Sequence, residues 1–260
     1  MNKITYKLSM DFLNSRAFNY LLRKFTNSKF SKKFIPFYIR KFKINEEELL
    51  EKPEAYTSLN DFFTRKINPS LRPLAADPRV LISPCDGLLT ELGQIDENSD
   101  FLIKSKPYSL EDLLEKDDFD LLKGGSYGLI YLSPANYHRF HALANCQLID
   151  QYSRGNKSEP VNDMGLKYGD KPIVKNFRQI QKLRDEDGNI FYVIYIGAVN
   201  VNSIVVHDKK AYKKGEEVGY FQFGSSILLL FPRDTYSFIC EKNEQLKYGQ
   251  GLLKKNTYEI

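Results

Sequence analysis

The spacing of apolar positions changes near residue 80. Before that point they recur at helical intervals. Phe18, Leu21, Leu22 and Phe25 share one face of a helix, with Arg16, Arg23 and Lys24 between them. Phe30, Phe34, Tyr38 and Phe42 follow at steps of four, and Pro36 must bend that segment or mark its start. Residues 44–56 are acidic and predict a further helix. Residues 58–65 (SLNDFFTR) predict a short capped helix, because Ser58 can cap and Asp61 stands three positions later. Asn68-Pro69 and Arg72-Pro73 then break the chain.

Past residue 80 the apolar runs are short and predict strands. Residues 80–83 end at Pro84, and residues 127–132 end at Ser133-Pro134. Asp187-Gly188 predicts a hairpin leading into a β-rich run at 190–196. A turn at 213–217 (KKGEE) precedes strands at 218–223 and 227–231, and the latter is an unbroken apolar run of the length of a buried strand. Gly224-Ser225-Ser226, between those two, reads as a tight turn of hairpin type. Residues 111–122 (EDLLEKDDFDLL) carry the one helical pattern of this part. There is no internal repeat and no flexible linker. The expected class is α+β: N-terminal amphipathic helices followed by a β-rich body.

Charge sharpens the division. The 260 residues are 42% hydrophobic, with 17 Tyr and 18 Phe, which excludes a wholly disordered chain. The net charge of +5 is an average of unlike parts. Residues 1–43 hold eleven Lys/Arg and one acid, a net of +10, which leaves the rest at −5. Such an arm can dock its aromatics on the body and turn its lysines to water. It can also lie in a bilayer interface, its cations on anionic headgroups. No nucleic-acid-reading motif accompanies the charge, so nucleic acid is not expected as a partner. No run approaches the roughly 18–20 apolar residues of a membrane span, and no secretory core follows the first lysines. An intracellular chain that does not cross a membrane is expected. Cys85, Cys146 and Cys240 form no CxxC pair, so neither a disulfide scaffold nor a cysteine zinc site is expected, and Cys146 and Cys240 read as small buried side chains.

The chemistry-bearing residues are few. His138 and His141 stand in YHRFH directly after the 127–132 strand, and His207 is the only other histidine. Without a third nearby ligand or an HExxH context, no metal is expected. Asp86 lies in SPCDG at a strand end, and Ser225 follows Gly224. Each signal alone is compatible with ordinary turn chemistry. Together they supply an acid, a base and a nucleophile, the set that activates a hydroxyl. Ser225 is not in a Gly-x-Ser-x-Gly elbow. Its neighbour's carbonyl, that of Gly224, is within reach of self-attack, since glycine admits unusual backbone geometry.

These segments resemble the phosphatidylserine decarboxylase family, whose members are self-cleaving, pyruvoyl-dependent proenzymes. The resemblance rests on residues 58–73 (SLNDFFTRKINPSLRP), 83–87 (SPCDG), 131–141 (YLSPANYHRFH), 195–204 (YIGAVNVNSI) and 213–226 (KKGEEVGYFQFGSS), in family order and at family-like spacing. Three positions depart: Gly224-Ser225-Ser226 where many members have Gly-Ser-Thr, Asn176-Phe177-Arg178 where Asn-Glu-Arg is frequent, and Asn202 where glycine is common.

The resemblance implies that His141 is the general base, Asp86 its orienter, and Ser225 the nucleophile that attacks Gly224. Cleavage gives a β-chain of residues 1–224 and an α-chain of residues 225–260, the latter woven into the sheet by its first strand. The new terminus is a covalent pyruvoyl group made from Ser225, a Schiff-base electrophile toward the substrate amine, with no external cofactor. His138 is the candidate proton donor. The implied substrate is phosphatidylserine and the product phosphatidylethanolamine. The implied assembly is a dimer of β/α pairs, peripheral on the cytoplasmic side of the cell membrane. In this division residues 1–43 are the membrane contact and residues 44–260 the catalytic domain. Other readings of the same residues are a pyruvoyl decarboxylase of a soluble amino acid, a Ser-His-Asp hydrolase that stays one chain, and a non-catalytic membrane-binding relative.

Overall fold

A computed structural model describes residues 16–116, 119–198, 204–222 and 225–256. In the arm, helix α1 (Arg16–Thr26) leads through a 3-10 turn (Lys29–Phe34) into α2 (Ile35–Phe42). Pro36 sits in the first turn of α2, where no intrahelical N–H is needed, so it marks the start. Helix α3 (Leu59–Phe63) forms as its cap predicts: Ser58 Oγ accepts from the Asp61 N–H at 3.1 Å, and the Asp61 carboxylate accepts from the Thr57 N–H at 2.8 Å. Ile35 and Ile39 of α2 are buried with Tyr56 and Phe62 in a small separate core. Phe25, Phe30 and Phe34 pack edge-to-face on one another yet stay exposed, as does Phe37.

Residues 44–56 do not form the expected helix. They make two 3-10 turns, Glu46–Glu48 and Pro53–Ala55. Between them Leu49 bridges Ile67, and the Leu50 N–H reaches the Lys66 carbonyl at 3.1 Å. Pairing with a distant segment outweighs helix propensity here, and Pro53 supports the break.

The body starts with strands β1 (Val80–Ile82), β2 (Gly87–Gln94), β3 (Asp100–Ile103) and β4 (Lys106–Ser109), then helix α4 (Leu110–Leu114). Strands β5 (Ser126–Leu132), β6 (Arg139–His141) and β7 (Cys146–Arg154) precede two short helices, α5 (Asp163–Tyr168) and α6 (Pro172–Lys175). Next come β8 (Arg178–Asp185), β9 (Ile190–Gly197), β10 (Ile204–Val206), β11 (Ala211–Tyr212) and β12 (Glu217–Phe221). Strands β13 (Ser225–Phe231), β14 (Tyr236–Phe238), β15 (Gln245–Leu246) and β16 (Gly251–Lys255) complete the described part.

An antiparallel sheet of eight strands, in the order β11-β7-β8-β9-β13-β5-β2-β15, organises the body. Side chains alternate between its faces. Ile227, Leu229 and Phe231 of β13 enter one core with Phe191, Val193 and Tyr195 of β9. Leu228 and Leu230 enter a second core on the other face with Tyr192, Ile194 and Ile196. Two three-stranded sheets, β1-β16-β14 and β10-β12-β6, complete the packing. The β8–β9 hairpin turns where Asp187-Gly188 predicts, with Gly188 at φ +85° and the Asp185 carboxylate accepting from the Asp187 and Asn189 N–H groups.

Two further expectations are corrected. Gly224-Ser225-Ser226 is not a hairpin turn: β12 pairs with β6 and β10 while β13 pairs with β5 and β9, so the chain passes between sheets there. Ser225 and Ser226 already belong to β13, because every residue of that strand is buried and must satisfy its backbone in the ladder. The helix expected at 111–122 ends at Leu114, with Glu115 left-handed at φ 52°, and a 3-10 turn (Asp120–Leu122) follows.

The cause of that ending lies far off in sequence. Arg178 is fully buried and donates to the Leu113 carbonyl at 2.8 Å, the Asp112 carbonyl at 3.0 Å, the Glu115 carboxylate at 2.9 Å and the Val174 carbonyl. It takes the helix-terminal acceptors that another turn would have used. Replacing it by methionine keeps much of the volume and strands those acceptors. Arg178→Met should therefore cost about 3 kcal/mol of stability, read as a lower thermal midpoint; an unchanged midpoint would remove Arg178 from this role.

Candidate active site

Four of the sheet's strands begin or end together, and the candidate residues gather at that end. Ser225, the first residue of β13, faces Leu132 at the end of β5 and Gly197 at the end of β9. Asp86 immediately precedes β2, whose Leu88 pairs with Tyr131 of β5. Gly87 lies so close to β5 that a Cβ there would meet Ile130 at 2.7 Å and the Tyr131 carbonyl at 2.8 Å, so only glycine lets Asp86 sit at this strand end. The loop after β5 carries His138 and leads through β6 to His141.

His141 is held from several sides. Its N–H donates to the Pro84 carbonyl at 2.8 Å. Its ring nitrogen Nδ1 lies 3.0 Å from the Gly215 carbonyl and Nε2 lies 3.0 Å from the Tyr137 hydroxyl. A carbonyl only accepts, so Nδ1 carries the hydrogen and the Nε2 lone pair accepts from Tyr137. Burial pushes the Tyr137 phenol up, which keeps it a donor. The Tyr248 ring stacks on His141 at 3.7 Å between centroids, and its hydroxyl shares the Gly215 carbonyl at 2.7 Å. Burial pulls His141 down to about 4.

Asp86 does not hydrogen-bond His141. Its carboxylate accepts from Arg72 Nη2 at 2.8 Å and Nε at 3.3 Å, and from the Tyr248 N–H at 2.8 Å. The direct orienting contact expected from the sequence is therefore not formed. The link runs through Tyr248, whose backbone rests on Asp86 and whose ring rests on His141. Neither Arg72 nor Tyr248 was among the candidates. Arg72 was legible only as part of an Arg-Pro chain break, and nothing local distinguishes Tyr248 from the other tyrosines.

His138 is wholly buried, stacked on Phe63 at 3.9 Å between centroids. Its Nδ1 donates to the Asn136 carbonyl at 2.8 Å, and Nε2 has no partner among the described residues. Burial, with a smaller contribution from the Arg65 cation, pulls it down to about 3. The loop that supports it is built by Asn136, whose side chain accepts from the Ser133 N–H and hydroxyl, and by Arg65, whose Nη2 donates to the Ala135 and Asn136 carbonyls at 2.7 and 2.9 Å. The His138 carbonyl in turn accepts from the Phe221 N–H at 2.9 Å, which sets His138 beside the segment leading to Ser225.

Ser225 and Ser226 are buried, and neither hydroxyl has a partner among the described residues. Buried polar groups are ordinarily hydrogen-bonded, so hydroxyls left without a described partner call for an explanation in chemistry. Asn176 clamps the strand next to Ser225, donating to the Gly197 carbonyl at 2.8 Å and to the Glu159 carbonyl at 2.7 Å. Asn176 and Arg178 are thus structural anchors, while Phe177 between them packs against the main core. His207 is elsewhere engaged, 2.9 Å from the Glu217 carboxylate that also binds Arg139. Among the described residues no three His, Cys, Asp or Glu side chains gather as a metal-ligand set, and the three cysteines are buried and free. Gly224 and Asn202 lie outside the described residues.

Both active-end histidines are neutral when folded and take up a proton near pH 6.5 when unfolded. Unfolding therefore binds protons between about pH 6.5 and 4, so each histidine should lower stability by about 1.4 kcal/mol per pH unit as pH falls through that window. The thermal midpoint should drop between pH 7 and pH 5; a flat profile would show that these rings are not held neutral.

Comparison with known proteins bears on the same residues. The family model described as phosphatidylserine decarboxylase matches residues 59–254. A phosphatidylserine decarboxylase proenzyme of Halalkalibacterium halodurans is 40% identical over 237 residues, 90% of this chain and 91% of its own. One of Bacillus thuringiensis subsp. konkukian is 37% identical over 97% of this chain and 95% of its own, and one of Bacillus mycoides is 34% identical over the full length of both. The match spans the strands that carry Asp86, His138, His141 and Ser225, and the chain belongs to the phosphatidylserine decarboxylase family.

Proposed function

We propose that this protein decarboxylates phosphatidylserine to phosphatidylethanolamine and CO2, after cutting its own chain between Gly224 and Ser225. The observation that carries the reading is the buried, unpartnered Ser225 hydroxyl at the sheet end shared with two neutral histidines, in a chain whose relatives are named as proenzymes.

In the maturation step Ser225 Oγ attacks the Gly224 carbonyl carbon and its proton passes toward His141, whose Nε2 bears no hydrogen. The peptide C–N bond is exchanged for a C–O ester. Loss of the α-hydrogen then expels the Gly224 carboxylate, and water converts the remaining unsaturated amine to a ketone with release of ammonia. The ladder of β13 supports this sequence, because it holds Ser225 in place from both sides, against β5 and β9. Asp86 acts as the orienter through Tyr248.

The residues present fit a pyruvoyl group at position 225: Ser225 is buried, and its hydroxyl has no partner among the described residues. Such a group supplies an electron sink for the pair left behind as CO2 departs. His138 handles the protons. With Nδ1 fixed on Asn136, its bare Nε2 can take the proton that the substrate's ammonium must lose to react, and return it to the carbon that loses CO2. A positioned acid–base group of this kind contributes on the order of 10²–10⁴-fold.

The arm supports a lipid substrate. Tyr20, Leu21, Phe25, Phe30, Phe34 and Phe37 are exposed beside exposed Arg23, Lys24, Lys29, Lys32, Lys33 and Arg40. An aromatic patch ringed by cations matches a bilayer interface. No described helix is long and apolar enough to cross a membrane. In this reading the protein is peripheral, on the cytoplasmic face of the cell membrane, with residues 1–43 as its contact.

Intact mass should show the wild type as two pieces, of 224 and 36 residues by the sequence, the smaller with a blocked N-terminus, whereas Ser225→Ala should remain one chain. An uncut, folded wild type would sink the maturation step. His138→Ala should cut itself normally and lose at least 100-fold in turnover; unchanged turnover would remove His138 from the reaction. Flotation with anionic liposomes should weaken in high salt, and should weaken more than tenfold in a Phe30→Ser/Phe34→Ser/Phe37→Ser variant, since each buried phenylalanine contributes about 1.5–3 kcal/mol. Binding indifferent to both changes would leave the arm without this role.

A further inference from the structure

A cavity of about 200 Å³ lies between the end of the arm and the catalytic end of the sheet. Its wall carries four cations, Lys43, Arg65, Arg72 and Lys247, and two carboxylates, Glu48 and Asp86. Both acids are committed. Arg72 Nη2 is shared between Glu48 at 2.7 Å and Asp86 at 2.8 Å, and Lys247 holds Glu48 at 3.1 Å.

Arg65 and the exposed Lys43 are the cations left over, and of these Arg65 is the buried one. It is 3% exposed, and no carboxylate among the described residues forms an ion pair with it. Its Nη2 is spent on the Ala135 and Asn136 carbonyls, which belong to residues of the same cavity lining, and its Nη1 has no partner among the described residues. The ring of Phe62 lies 5.3 Å from the guanidinium carbon and offsets part of the charge. A buried cation with a spare donor is costly unless an anion completes it. Arginine's planar fork is suited to oxyanions, and here one arm of it is left open.

We propose that Arg65 binds the headgroup phosphodiester of the phospholipid substrate in this cavity, with Lys43 at the arm-side rim. The proposal rests on the decarboxylase reading above. The substrate offers two anions, and the chemistry selects between them. The carboxylate leaves as neutral CO2, so a buried cation on it would stabilise the ground state and oppose the reaction. The phosphodiester keeps its charge throughout, so a cation there anchors substrate at no cost to the chemical step. Location agrees, because exposed Lys43 follows directly on α2 while Asn136 and Tyr137 on the opposite wall lead to the two histidines.

The test compares wild type with Arg65→Gln, both first checked for self-cleavage as the readout of folding. With dispersed short-chain phosphatidylserine, Arg65→Gln should raise KM at least tenfold, over and above any loss of kcat that follows from releasing the Ala135 and Asn136 carbonyls. Glycerol 3-phosphate should inhibit wild type competitively and inhibit Arg65→Gln at least tenfold less, while free L-serine should show no such difference. A variant that loses kcat but keeps the same glycerol 3-phosphate inhibition would show that Arg65 only supports the His138 loop, and overturns the proposal. Loss of L-serine inhibition instead would place the carboxylate on Arg65 and likewise overturn it. If Arg65→Gln does not cut itself, Lys43→Ala takes its place; it should weaken glycerol 3-phosphate inhibition at least threefold, and an unchanged inhibition constant overturns the proposal. A wild type that neither cuts itself nor turns over phosphatidylserine would defeat the underlying reading instead, whatever Arg65 does.

Discussion

Everything at the candidate site hangs on the insertion of β13 between β5 and β9. The strand is buried on both faces, so each of its backbone groups must find a partner in a neighbouring strand, and the register runs without a slip from Ser225↔Leu132 to Phe231↔Ser126. A one-residue slip would exchange the Ile227-Leu229-Phe231 face for the Leu228-Leu230 face and ruin both cores at once. Ser225 is thereby placed with the accuracy of a core strand.

Around that fixed point the site is arranged chiefly by arginines. Arg65 grips the carbonyls of the loop that pins His138, Arg72 holds Asp86 against Glu48, and Arg139 ties the strand between the two histidines to the Thr64 carbonyl at 2.9 Å and to Glu217 at 2.7 Å. Each fork satisfies acceptors that would otherwise be buried without a donor. The histidines are left in dry surroundings, neutral, with the tautomer of each set by a single carbonyl. Protonation state here follows from packing more than from a neighbouring carboxylate.

Much of this was legible in the chain. The cap at Ser58, the hairpin at Asp187-Gly188, the start of a helix at Pro36 and the buried strand at 227–231 are local patterns, and local physics decides them. What escaped was set from a distance. The helix predicted at 111–122 is cut short by Arg178, and the acidic segment at 44–56 is drawn into bridges with Leu49, Ile67 and Lys66. The Gly224-Ser225-Ser226 turn vanished for a related reason, since its flanking strands find partners in different sheets. Within the site, Asp86, His138, His141 and Ser225 do converge on one end of the sheet, yet the tyrosine linking Asp86 to His141 comes from position 248, and no spacing rule points to it.

The place of Tyr248 and β13 beyond the proposed cut has a consequence for the life of the protein. If the chain is cut as proposed, the strand that completes the sheet belongs to a 36-residue fragment. Folding can use the covalent connection only once, when the precursor brings β13 between its neighbours at the loop-closure cost of a single chain. A mature molecule that loses the fragment must recover it as a second-order event, against an open sheet with two exposed apolar faces. Assembly therefore runs in one direction, and the persistence of the mature form is a matter of escape rate instead of equilibrium.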